Sequence, residues 1–245
     1  MANGAVAYDN AFAGIVPTAT GSDAGYPLTN GYDGYPASTH KYTGASLSVV
    51  FDAGGGKKLS IKGVSLHGHN LVAGEKIRVQ MSDDNFATTP VNVLTTLTSG
   101  NDFYYLWSST QSYRYLKKII TPATPRQMSI GEYCGWQNNY VFVRNYNNPW
   151  QVIPQLFGRG NSNWGQSNKN MVSKNKKYIL DFENLAAAQV AILETILGKS
   201  TLCFIPDSGL MDCIFGVTEN LSMQESINYA LGAMQLSFVA NASLI

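Results

Sequence analysis

Three histidines and three cysteines are the side chains of this sequence best suited to hold a metal or move a proton. Two of the histidines, His67 and His69, stand two apart in the run Leu66-His67-Gly68-His69-Asn70-Leu71. Residues two apart in an extended strand share a face, so this pair could hold one ion between them. A metal centre needs three or four ligands. His40 lies on a distant turn-rich loop and Asp83 and Asp84 lie beyond the next hairpin, so the spacing offers no third ligand. Gly68 and Asn70 tolerate left-handed backbone, and both imidazoles can bond neighbouring main chain, so the run reads as the chain leaving one strand for the next. Cys134, Cys203 and Cys213 cannot all pair, and none stands in a C-x-x-C or other ligand-spaced set. Each lies among apolar neighbours, where a free thiol packs as a small hydrophobe. That usage suits folding in a reducing compartment.

Other chemistries find less support. A nucleophile elbow, G-x-S-x-G, does not occur in the sequence. Asp52, Asp83, Asp84 and Asp102 could be paired for glycosidic acid–base work, but acidic residues on loops of a β-sandwich are commonly turn formers. Gly54-Gly55-Gly56-Lys57-Lys58 joins two strand-like segments rather than opening a helix, so it is a hairpin and not a phosphate cradle. The expectation is therefore a non-enzymatic protein with no catalytic residues, no cofactor and no metal. Aromatic side chains are better candidates for recognition. Tyr26, Tyr32, Tyr35 and Tyr42 crowd the first loop, and Phe103, Tyr104, Tyr105 and Trp107 crowd a later segment. The loop 158–173 carries Trp164 at its centre, and a loop of that length is usually functional or disordered. Tyr32, Tyr35, Trp107 and Trp164 are the expected contacts to a glycan or to a protein partner, because aromatic rings stack on sugars and anchor interfaces.

The elements that would position these groups are mainly strands. Period-two alternation marks strands over 46–51, 58–66, 76–81, 91–97, 103–107, 113–121 and 128–136, with turn residues between them. In 58–66 the pattern places Leu59, Ile61, Gly63 and Ser65 on one face, and Lys58, Lys62, Val64 and Leu66 on the other. Residues 1–46 read as an irregular arm rich in Gly, Pro and Tyr. Further strands are expected over 140–144, 151–157, 176–182, 202–205, 213–218 and 229–239. One helix is expected over 185–197, with Asn184 as N-cap and Gly198 closing it. Two domains follow, 1–137 and 138–245.

Composition limits the partners. Charged residues are 13% of the 245, about half the usual share, and seventeen basic against sixteen acidic side chains leave a net charge of +1. Such a chain has no field to draw in nucleic acid or an anionic membrane. The Lys-rich stretch 169–177 reads as a solvated loop. No signal peptide or membrane-spanning run is expected.

The order Asn30-Gly31-Tyr32-Asp33-Gly34, then Phe51-Asp52, then Val64-Ser65-Leu66-His67-Gly68-His69-Asn70-Leu71, resembles the galactose-binding-like, discoidin-type jelly roll, and more narrowly the version found in bacteriophage tail proteins. His69-Asn70-Leu71 followed by Ser82-Asp83-Asp84 is similar to a pattern of that version, and Tyr113-Arg114-Tyr115-Leu116 and Ile130-Gly131-Glu132 are similar to its late strands. In the second half, Asp181-Phe182-Glu183-Asn184-Leu185, the helix, Cys203-Phe204-Ile205-Pro206-Asp207 and Ile214-Phe215-Gly216-Val217 resemble small β modules of tail and baseplate proteins. The resemblance implies a jelly-roll β-sandwich followed by a tail-tube-like β module with one flanking helix. It further implies a virion structural protein of a tailed bacteriophage, in the tail tip, baseplate or fibre-attachment region, made in the host bacterial cytoplasm. Its partners would be copies of itself and other virion tail proteins. The alternative function is a carbohydrate-binding module for host-surface glycan.

Overall fold

The computed structural model describes residues 4–34, 36, 38–97, 102–142, 151–158, 171–197, 199, 201–205, 213–224 and 232–240. In chain order these form β1 (Ala5–Asn10), β2 (Thr18–Ala19), β3 (His40–Gly44), β4 (Leu47–Asp52), β5 (Leu59–His67), β6 (Lys76–Ser82), β7 (Val91–Leu97) and β8 (Phe103–Tyr113). They continue as β9 (Tyr115–Thr121), β10 (Arg126–Ile130), β11 (Glu132–Val141), β12 (Gln151–Gly158), β13 (Met171–Leu185), α1 (Ala187–Leu197), β14 (Leu202–Ile205), β15 (Ile214–Gln224) and β16 (Gly232–Ala240). The fold is mainly β: a jelly-roll sandwich followed by a smaller β module with one helix.

Alternation builds the sandwich. Leu47, Val49 and Phe51 of β4, Ile77, Val79 and Met81 of β6, and Leu116 and Ile120 of β9 all point into one core. They belong to a five-stranded sheet ordered β2-β4-β9-β6-β7. Opposite stand β5, β8 and β11, which continue through β1 and β14 into a nine-stranded sheet ordered β12-β13-β16-β15-β14-β1-β11-β5-β8. Phe12 stacks on Phe51 at 3.8 Å between ring centroids and fills the middle of the core. Gly135 admits it, because a Cβ there would stand 2.5 Å from the Phe12 ring.

The sequence pattern of β5 is overturned by one irregularity. Pairing with β8 shifts register between Ile61 and Gly63, and a bulge of this kind switches which residues face inward. Leu59, Ile61, Val64 and Leu66 therefore all reach the sandwich core, and Ser65 and His67 turn to the opposite face. β1 is likewise not part of an irregular arm. It lies between β11 and β14, with Ala7 opposite both Asn139 and Cys203. Ala5, Val6 and Ala7 are buried on both faces, so the segment shows no alternation that would reveal a strand.

α1 begins after the expected 185. β13 runs on to Leu185, and the helix start is fixed by Gln189, whose side-chain oxygen accepts the Ala186 N–H at 2.8 Å. Asn184 thus belongs to a strand rather than a cap, and Gly198 lies outside the described residues. Leu193 and Ile196 bury against Val6, Phe142, Leu202 and Phe204.

Lys118 breaks the core pattern. It occupies the inward position between Leu116 and Ile120, is 1% exposed, and donates to the carbonyls of Ser65 at 2.9 Å and Cys134 at 2.7 Å across the sandwich. Burial depresses its ammonium to about 7, although Cys134 and Glu132 pull the other way.

Candidate functional site

The first grouping of reactive side chains is sealed. His67 reaches the outer face of β5, and the large sheet curls until Phe215 of β15 lies against it, with ring centroids 5.0 Å apart. Phe215 also meets Trp136 of β11 at 6.4 Å. Cys203 of β14 and Cys213, just before β15, complete the cluster, and the ligating atoms of His67, Cys203 and Cys213 lie within 4.8 Å of one another. All three residues are buried, within a shell of Ala5, Ala7, Cys134, Trp136, Ile205 and Phe215.

Hydrogen bonds fix the imidazole on both edges. Nε2 meets Ser65 Oγ at 2.7 Å, and that hydroxyl accepts the Trp136 indole N–H at 2.9 Å. Nδ1 stands 3.0 Å from Asp102 Oδ2 and 3.8 Å from Cys213 Sγ. The other carboxylate oxygen of Asp102 accepts the Gly68 N–H at 2.9 Å. Burial works against the imidazolium, but Asp102 and Cys203 outweigh it and hold His67 above the ordinary imidazole range. Burial would raise the Cys203 thiol, yet bonds from Cys213 and His67 bring it below the ordinary thiol range. Thiol, imidazole and carboxylate in this order can share protons or bind a cation. Cys203 is 0% exposed, so no substrate carbonyl meets it.

The second grouping is open. β3 and β10 form a two-stranded ribbon, with Thr43 opposite Gln127 and Tyr42 opposite Met128. Asp23 accepts from the Thr43 N–H at 3.0 Å, the Thr43 hydroxyl at 2.9 Å and the Gln127 amide at 2.8 Å. The Gln127 and Thr43 side-chain bonds hold its carboxyl below the usual range. The preceding residue of β10, Arg126, forks onto Glu75, with Nε to Oε1 at 3.1 Å and Nη2 to Oε2 at 2.6 Å. Glu75 is buried, which would raise it, but Arg126 and the Val72 and Ala123 amides outweigh that and keep it low. Tyr26 is exposed at this end, with Lys41 Nζ 3.7 Å from its ring centroid.

The histidine pair of the sequence divides between these regions. His69 lies past the end of β5, where its Nδ1 accepts the Leu71 N–H at 3.2 Å, so it does not share a face with His67. Asn70 latches the same turn to β10, giving to the Gln127 carbonyl at 3.1 Å and accepting the Ser129 N–H at 2.9 Å. His40 is buried and bonds Tyr133 Oη at 3.0 Å. Asp52 pairs with Arg114 at 2.9 and 3.0 Å, Asp83 with Lys58 at 2.7 Å, and Asp84 with Ser82 and Thr88 in a turn.

Among the expected contact residues, Tyr32 is half-buried after a 3-10 helix over Leu28–Gly31. Trp107 of β8 is half-buried, packs edge-on to Tyr105 at 5.3 Å, and donates its indole N–H to the Val93 carbonyl of β7 at 3.2 Å. It thus bridges the two sheets at their open edge. Tyr35 and Trp164 lie outside the described residues. Sequence spacing could not show the His67–Cys203–Cys213 grouping, because its members meet only through sheet curvature. The one local signal was the clustering of all three cysteines in apolar strand-like runs.

No protein-family model matches the sequence, and a search of curated proteins finds no match. Solved structures do match. A chitosan-binding module 1 from a chitosanase/glucanase of Paenibacillus sp. IK-5 aligns at 19% identity and TM-score 0.44, over 53% of this chain and 99% of its own. The CBM32 of AlyQ, in complex with 4,5-unsaturated mannuronic acid, aligns at 17% identity and TM-score 0.42, over 54% and 98%. A CBM32 module produced by Clostridium perfringens aligns at 16% identity and TM-score 0.42, over 53% and 100%.

Proposed function

We propose that this chain is a non-catalytic glycan-binding protein whose jelly roll reads sugar hydroxyls along the β3–β10 ribbon. The observation that carries this reading is the pre-set trio Asp23, Thr43 and Gln127 on the open ribbon, with the exposed ring of Tyr26 beside Lys41 at the same end. A carboxylate, a hydroxyl and an amide match the hydroxyls of a sugar, and an aromatic ring packs against its C–H face. Because the polar groups already hold one another, little side-chain freedom is lost on binding. Tyr32 and Trp107 are secondary contacts in the same proposal.

A panel of acidic, amino and neutral polysaccharides immobilised on an array tests it. The protein retains at least one of them, and Tyr26→Ala or Gln127→Ala weakens retention at least about tenfold, the scale of one lost stacking or hydrogen-bond anchor. Retention of none sinks the reading.

A second reading is assembly into the tail of a bacteriophage particle. It draws on the sequence resemblance and on β12, which has a partner only on its β13 side among the described strands. Pro154 within β12 suits an edge position, since it has no N–H to offer, and an open edge can take a strand from another subunit. Light scattering and electron microscopy of the concentrated protein decide: rings or fibres support assembly, and a strict monomer argues against it.

A further inference from the structure

We propose that His67, Cys203 and Cys213 supply three ligands of a structural zinc site that ties β5 to β14 and to the start of β15, with Asp102 beside the imidazole. In a tetrahedral zinc centre, bonds of about 2.1 Å to nitrogen and 2.3 Å to sulfur place ligand atoms roughly 3.3–3.8 Å apart. The 3.8 Å from Cys213 Sγ to His67 Nδ1 matches that spacing, while Asp102 Oδ2, 3.0 Å from the same nitrogen, stands at hydrogen-bond distance outside the convergent set. The three ligating atoms of His67, Cys203 and Cys213 converge within 4.8 Å. Two thiols with one imidazole favour zinc over magnesium or calcium, which take oxygen donors.

The surroundings are those of a closed metal centre. Ser65 holds the Nε2 edge of the imidazole and is itself held by Trp136, which aims Nδ1 inward. A partner on the second ring nitrogen is the usual support of a metal-bound histidine. Gly68 fixes one oxygen of Asp102, and Oδ2 stands beside the imidazole. Ala7, Ile205 and Phe215 form a dry shell. Cys134 lies in the same shell but outside the convergent set, which makes it an internal control.

The ligands come from segments far apart in sequence, so binding would be coupled to folding. The test is elemental analysis of the full chain purified with reductant and without chelator. About one zinc per chain is expected, falling below about a tenth in Cys203→Ser and Cys213→Ser and unchanged in Cys134→Ser. Cobalt(II) added to metal-free wild type gives the visible absorption of a tetrahedral thiolate site. Asp102→Asn weakens zinc at least about tenfold, a readout independent of whether the cysteine variants fold. The proposal is overturned if reduced wild type takes up neither zinc nor cobalt, or if Cys134→Ser loses metal as fully as Cys203→Ser. An intact mass showing Cys203 joined to Cys213 in metal-free protein isolated without reductant also overturns it.

Discussion

The His67 cluster and the β3–β10 ribbon are both polar networks laid across paired strands, and they differ in their access to water. In the cluster, His67, Ser65 and Trp136 bond one another inside an apolar shell, and Asp102 alone is partly exposed. In the ribbon, Asp23, Thr43 and Gln127 make bonds of similar length with water alongside. Inside a protein each such bond is stronger and each loss costs more. On the surface, water replaces what is removed. The same geometry therefore supports structure in one place and, in the function proposed, recognition in the other.

The sharpest way to probe the sealed side is Lys118, which faces the same strand pair from within the sandwich. Its ammonium is charged in both folded and unfolded chains below about pH 7, so the cost of burying it is fully present there. Between about 7 and its ordinary 10.5 the folded protein has lost the proton and the unfolded chain has not. Stability therefore rises with pH across that window, by up to several kcal/mol. Lys118→Met abolishes the rise, which thermal melts from pH 6 to 10 on wild type and variant would record. Parallel pH profiles would show the ammonium is not buried as described.

Ser65→Ala comes next. It strips Trp136 Nε1 and His67 Nε2 of their shared partner and costs about 2 kcal/mol, read by urea unfolding followed through tryptophan fluorescence. A loss as small as a typical surface change would erase the contrast with the ribbon. Trp107→Phe removes one neutral bond across the open edge of the sandwich and costs about 1 kcal/mol in the same measurement. The smallest effect on stability belongs to Asp23→Asn. Its melting temperature stays with wild type, while polysaccharide retention drops about tenfold. A large melting shift would place Asp23 with the structural network instead.

Much of the jelly roll was legible because its strands are buried on one face, and alternation records that directly. β4, β6 and β9 kept their pattern. What escaped did so for identifiable reasons. β1 is covered on both sides, so its small apolar residues carry no period. β5 hides a register shift that no residue type announces, and that shift decides where Ser65 and His67 point. Lys118 looks like an alternating surface lysine until its parity with Leu116 and Ile120 is counted. Around the sites, the turn-forming role of Asn70 could be read locally. The meeting of His67 with Cys203 and Cys213 could not, because it arises from the curl of the sheet.

β1 also imposes an order on biosynthesis. It is made before the other described strands, yet one of its neighbours, β14, follows only after β2 to β13. Until then the small apolar strand has an open edge, and the sheet joining the two halves cannot close. Non-local pairing of this kind slows folding and leaves strand edges exposed to other chains. A protein arranged this way depends on β14 arriving before a neighbouring nascent chain does.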